Sequence, residues 1–97
     1  MTWEEYRDRT HPMDRGPYSV WYMALGLAGE TGEVVDEIKK GYRPGWDINP
    51  GKLLLEMGDV LWYWTRMCEH FGWSFEDVAR ANIDKLTKRR AAGGYVG

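Results

Sequence analysis

Gly29-Glu30-Thr31-Gly32-Glu33-Val34-Val35-Asp36-Glu37-Ile38-Lys39-Lys40 carries two patterns at once. Apolar positions recur at helical spacing, and Glu30, Glu33 and Glu37 fall three and seven apart, which places them in one stripe of an α-helix. Like charges so spaced repel by about a few tenths of a kcal/mol per pair. A helix built only for stability would put Lys four residues after each Glu. Here those positions hold Val34 and Glu37, and only Lys40 offers local relief. A second acidic pair follows in Glu56-Met57-Gly58-Asp59, with Val60 and Tyr63 at the i+4 positions. Two uncompensated carboxylate pairs on two helices call for positive charge from outside the chain. Mg²⁺ suits them, being hard and taking a few carboxylates together with substrate phosphates.

The rest of the chain reads outward from these two segments. Thr2, with Glu5 three residues later, opens a short first helix ending near Thr10, and His11 to Gly16, with Pro12 and Gly16, form a loop. A second helix runs from Pro17 or Tyr18 to Lys40, with Gly41 as its stop. Its expected apolar face is Val20, Ala24, Leu27, Thr31, Val34, Val35 and Ile38. Gly26, Gly29 and Gly32 each cost about 1 kcal/mol against Ala in a helix interior, which implies close packing or ligand access there. Asn49 and Pro50 start a third helix, which continues to about Phe71. Leu54, Met57, Leu61, Trp64, Cys68 and Phe71, widened by Leu55, Val60 and Trp62, predict burial on most sides. Lys52, Glu56, Asp59, Tyr63, Arg66 and His70 share its polar stripe, which a solvated face would equally explain. Ser74 and Asp77 open a fourth helix, with Phe75, Ala79, Ile83 and Leu86 toward the core. Residues 91–97 read as a flexible tail. No strand or repeat pattern is present, so the expected fold is all-α: one four-helix, bundle-like domain over 1–97.

Composition narrows the classes further. Ninety-seven residues suit one domain, and a net charge of −2 gives no bulk attraction to nucleic acid or to membrane. No apolar run reaches the roughly 20 residues of a membrane span. A single cysteine and the early charges Glu4, Glu5 and Arg7 lead to the expectation of a cytoplasmic protein without a signal sequence. His70 is too far along its helix to join Glu56, His11 has no partnered ligand motif, and Cys68 lies on an apolar face. Trp21, Met23 and Trp46 are available to stack on a base, or else belong to core or interface.

Glu30-x-x-Glu33 followed by Glu56-x-x-Asp59, set within Leu27-Ala28-Gly29 and Val60-Leu61, together with Asn82-Ile83-Asp84-Lys85-Leu86, resembles the MazG-like nucleoside triphosphate pyrophosphohydrolases. The resemblance spans about Leu25 to Arg90. It implies Mg²⁺-dependent hydrolysis, with Mn²⁺ as a substitute, of a (d)NTP to the monophosphate and pyrophosphate, as in nucleotide-pool house-cleaning. The matching carboxylates Glu30, Glu33, Glu56 and Asp59 would hold the metal and form the catalytic set. Asn82 and Lys85 would contact the substrate, with Arg89 and Lys40 on outer phosphates. Family members are dimers or tetramers, so a homodimer or homotetramer is expected. Phosphoribosyl-ATP hydrolysis on the same scaffold, or a non-catalytic helical module, are the alternatives. The short first helix and the Pro12–Pro17 loop depart from the family pattern and leave the base pocket open.

Overall fold

The computed structural model describes residues 1–17 and 19–94. Four α-helices follow one another: α1 (Trp3–Thr10), α2 (Val20–Lys39), α3 (Pro50–Phe71) and α4 (Phe75–Ala91). No strand occurs among the described residues, and no helix there is long and apolar enough to cross a membrane. The all-α expectation holds.

Local chemistry sets most of the boundaries. The Thr2 hydroxyl accepts the Glu5 N–H and opens α1. The Asn49 side chain accepts the Lys52 N–H, with Pro50 at the first helical position of α3. Gly72, at φ 74°, ends α3 in the left-handed region. Ser74 and Asp77 exchange the two bonds of a full capping box. The start of α2 differs from expectation: the Ser19 hydroxyl accepts the Tyr22 N–H, so the helix begins at Val20. Tyr18, expected at that start, lies outside the described residues. Gly41 is not a left-handed stop either. The chain passes through it in a 3₁₀ turn, Lys40–Tyr42, and turns away before Pro44. Of the expected tail, Ala91 is the last residue of α4 and residues 95–97 lie outside the described residues.

α2 and α3 form an antiparallel pair whose register can be read directly. The Tyr63 ring occupies the space a Cβ on Gly26 would need, Glu30 meets Asp59, and Glu37 meets Lys52. The residue numbers in each pair add to the same value, as one register without slippage requires. The polar stripe of α3, which a solvated face would also have explained, therefore faces α2. Glu56 and Tyr63 are half-buried, and Arg66 is 2 % exposed.

Short α1 lies across the C-terminal half of α3. Trp3 Nε1 donates to Thr65 Oγ1 at 3.1 Å, and the two indoles Trp3 and Trp64 meet edge-on at 6.2 Å. Arg66 Nη2 donates to Thr10 Oγ1 (2.9 Å) and to the Arg7 carbonyl (3.3 Å), while Nε pairs with Glu69 Oε1 at 2.7 Å. That Arg66–Glu69 contact is an ion pair without hydrogen-bond alignment. The guanidinium also lies over the Trp62 ring, 5.2 Å from its centroid.

The apolar expectations need correction. Met23 and Cys68 are the fully buried apolar side chains among the described residues. Ala24, Thr31, Val35 and Ile38 of the expected α2 face are exposed, because the side turned to α3 carries Met23, Gly26, Glu30 and Glu37 instead. On α3, Leu54 and Leu55 remain 73 % and 72 % exposed, since α1 covers only the other half of the helix. Phe75 and Ile83 of α4 are exposed too; α4 leans on α3 at its first turn, where Phe75 meets Trp64 edge-on at 6.3 Å.

Candidate metal centre

Midway along the α2–α3 seam, Glu30, Glu56 and Asp59 each bring a carboxylate oxygen to within 4.8 Å of the others. Helix geometry explains the convergence. Glu56 and Asp59 lie three apart on one face of α3, and the antiparallel register sets Glu30 opposite. Glu30 and Glu56 are half-buried and Asp59 is exposed, so the group is open to solvent on one side.

The electrostatics show a site short of positive charge. Burial pushes the Glu30 carboxyl above its ordinary value of 4.5, and the neighbouring Asp59, Glu56 and Glu33 charges push it the same way. Among the described residues, no Lys, Arg or His pairs with any of these four carboxylates. Three converging, all-oxygen ligands without a counter-charge fit a hard divalent cation such as Mg²⁺.

The other sequence-predicted residues fall in distinct places. Glu33, one turn beyond Glu30, is exposed and stands outside the three-carboxylate group, though its charge reaches Glu30. Lys40 is engaged by Glu37 at 3.1 Å. Asn82, Lys85 and Arg89 line exposed α4 and make no side-chain hydrogen bond or ion pair among the described residues. Cys68 is buried and its thiol is pushed upward by that burial, as suits a core residue. The His11 ring pairs with Glu69 at 3.0 Å, and His70 is exposed beside Phe71. Met23 is core; Trp21 is exposed, and half-exposed Trp46 lies under the Arg43 guanidinium.

Three residues outside the resembled motif shape the seam. Tyr63 fills the gap Gly26 leaves. Glu37 is buried and bonded from two sides. Tyr6 of α1 comes within electrostatic reach of both Arg66 and Asp59, with burial the main cause of its raised pKa. Glu37 was visible in the sequence as a member of the acidic stripe, with Lys40 three residues on at ion-pair spacing.

Comparison with known proteins identifies the family. The model of the MazG nucleotide pyrophosphohydrolase domain matches residues 20–93, which include α2, α3 and α4. The Gene 37 protein of Mycobacterium phage L5 is 32 % identical over 76 residues, covering 74 % of this chain and 67 % of that protein. No solved structure gives a significant match. With the matched region spanning both acidic helices and most of the chain, the protein belongs to the MazG nucleotide pyrophosphohydrolase domain family.

Proposed function

We propose that the protein hydrolyses nucleoside triphosphates, ribo- or deoxyribo-, to the monophosphate and pyrophosphate, with a divalent cation held by Glu30, Glu56 and Asp59. The observation that carries this reading is the convergence of those three carboxylates without a protein counter-charge. A bound Mg²⁺ supplies charge neutralisation at the phosphates and a water of lowered pKa. Glu33, whose charge reaches Glu30, takes part as a further ligand or through water. A triphosphate carries about four negative charges and is repelled by the bare acidic site, so the metal has to be in place for the nucleotide to bind. Asn82, Lys85 and Arg89 on one side of α4 hold phosphate oxygens, as point charges and a hydrogen-bonding amide. Lys40, tied to Glu37, is the weaker candidate for that task.

The same reading takes the protein as a homo-oligomer. Its accessible surface is 7560 Å², whereas a compact monomer of this mass exposes roughly 5700 Å². The radius of gyration is 16.4 Å against about 13 Å for a compact chain of similar length. The excess matches what one partner buries in a large permanent interface, of the order of 1,000–2,500 Å². Exposed apolar side chains fall on the outer side of α2 (Trp21, Leu25, Val35) and on the half of α3 that α1 leaves bare (Leu54, Leu55, Met57).

The test is a pyrophosphate-release screen over the common NTPs and dNTPs and phosphoribosyl-ATP, with Mg²⁺ and with chelator. Release from one or more nucleoside triphosphates only with Mg²⁺ supports the proposal. Release confined to phosphoribosyl-ATP would redirect the substrate, and no release from any of them would refute the catalytic reading.

A further inference from the structure

The three carboxylates come from two helices, so their spacing depends on how α3 is set against α2. The seam is fixed on both sides of the acidic group. Toward the start of α2, the missing Cβ of Gly26 admits the Tyr63 ring. Toward its end, Glu37 is 2 % exposed and gathers two hydrogen-bond donors and one further ion-pair partner. Its Oε2 accepts the Asn49 N–H at 3.1 Å, and its Oε1 accepts Lys40 Nζ at 3.1 Å with Lys52 Nζ at 3.8 Å.

Two of those three partners belong to the beginning of α3. Asn49 is its cap, with its own side chain accepting the Lys52 N–H, and Lys52 stands about one turn before Glu56. On the other helix, Glu37 is two turns beyond Glu30, in the same stripe. A single buried carboxylate therefore joins the first turn of the helix bearing Glu56 and Asp59 to the helix bearing Glu30. Without it, the connection from Gly41 to Ile48, with glycines at 41 and 45, leaves α3 able to slide. Sliding by one residue displaces a helix by about 1.5 Å. Mg²⁺ demands near-ideal octahedral geometry, and misplacement on that scale removes much of the benefit of a preformed site.

We propose that Glu37 is a positioning residue of the carboxylate centre: it sets the register of α3 on α2 and so keeps Glu56 and Asp59 at ligand distance from Glu30, while standing outside the ligand set itself. This inference rests on the divalent-metal reading above. Residues that orient metal ligands from outside the coordination sphere are worth roughly 10–100-fold in affinity or activity when replaced.

The experiment compares wild type, Glu37→Gln, Lys52→Met, the double variant and Thr65→Val. Thr65→Val serves as a stability control, since it removes the acceptor of the Trp3 indole on the side of α3 away from α2. Mn²⁺ affinity is measured by titration calorimetry, kcat and KM by pyrophosphate release, and folding by thermal melts in chelator. Glu37→Gln keeps an acceptor for the Asn49 N–H but loses the charge that draws both lysines. It should bind Mn²⁺ about tenfold or more weakly and lose a similar factor in kcat, with KM near wild type at saturating metal. The double variant should fall short of the sum of the single losses, because Lys52 acts through Glu37. Thr65→Val should melt lower yet keep wild-type Mn²⁺ affinity. Wild-type affinity and kcat in Glu37→Gln would overturn the inference. Should that variant not fold, unchanged Mn²⁺ affinity in folded Lys52→Met would overturn it equally. A wild type that neither binds Mn²⁺ nor releases pyrophosphate would instead refute the underlying metal reading.

Discussion

Gly26 is the position where one added methyl group tests the α2–α3 seam. A Cβ there would overlap the Tyr63 ring, which is itself held edge-on to Trp62 at 5.1 Å. Gly29, one turn further along α2, has no atom within 4 Å of the same construction. Replacing either glycine by Ala gains the same helix term, about 1 kcal/mol. That gain cancels in the comparison, so the difference between Gly26→Ala and Gly29→Ala is the overpacking cost alone, about 1–3 kcal/mol. For a domain of this size the gap corresponds to roughly 4–20 °C in melting temperature. Gly29→Ala should melt above wild type, and Gly26→Ala at or below it. The assay is a thermal melt of all three proteins at one protein concentration in chelator, which keeps assembly and metal constant. Equal stabilisation by both substitutions would show that Tyr63 does not pack against α2, and would remove the register on which the metal centre depends.

Other outcomes follow from the same geometry. Because burial and like charges raise the Glu30 pKa in the folded state, ionised Glu30 opposes folding; the metal-free protein should grow more stable as pH falls from neutral through that raised value. Glu30→Gln should abolish that gain, and melts across pH in chelator check it. Glu37 has the opposite sign: the Asn49 N–H and Lys40 hold its carboxyl below 4.5, so its contribution disappears only at more acidic pH, as pH falls through the lowered value. Lys85→Ala should raise KM several-fold with little change in melting temperature, as steady-state kinetics and a melt would show; a collapse of stability would make Lys85 structural. Leu25→Glu, on the exposed outer side of α2, should reduce the mass found by light scattering without loss of helicity, and an unchanged mass would place the interface elsewhere.

Much of the fold was legible because helix ends are decided locally. Asn49, Gly72, Ser74 and Asp77 each set their boundary through a bond within a few residues, and Pro50 does so through its fixed φ. Ser19 shows the limit of that logic, since a proline-based start at residue 17 competed with a hydroxyl cap two residues on. The acidic motif contains the three residues that converge, Glu30, Glu56 and Asp59, because a spacing of three on α3 and one antiparallel crossing bring them together. Glu33 shares the motif but not the group, as the side of α2 turned to α3 passes through Glu30 and Glu37. Arg66 looked like an exposed member of a polar stripe and is buried, because α1 covers it and supplies Thr10 Oγ1 and the Arg7 carbonyl. No periodicity in α3 contains that information. The apolar breadth of α2, α3 and α4 was visible, but which side faces the chain's own core and which faces outward depends on neighbours that a helical wheel does not hold.

The central claim is that Glu30, Glu56 and Asp59 together bind a divalent cation, and paired melting curves of wild type and Asp59→Asn, in chelator and in millimolar Mg²⁺, test it most directly. Metal at 100 times its dissociation constant stabilises the native state by about 2.7 kcal/mol, which for a domain of this size is a shift of roughly 10–20 °C. Wild type should show such a shift. Asp59→Asn should melt in chelator at or above wild type, because one of the repelling charges is gone, and should respond little to Mg²⁺. A wild type that melts at one temperature in both buffers, or an Asp59→Asn variant that responds as fully as wild type, would contradict the account.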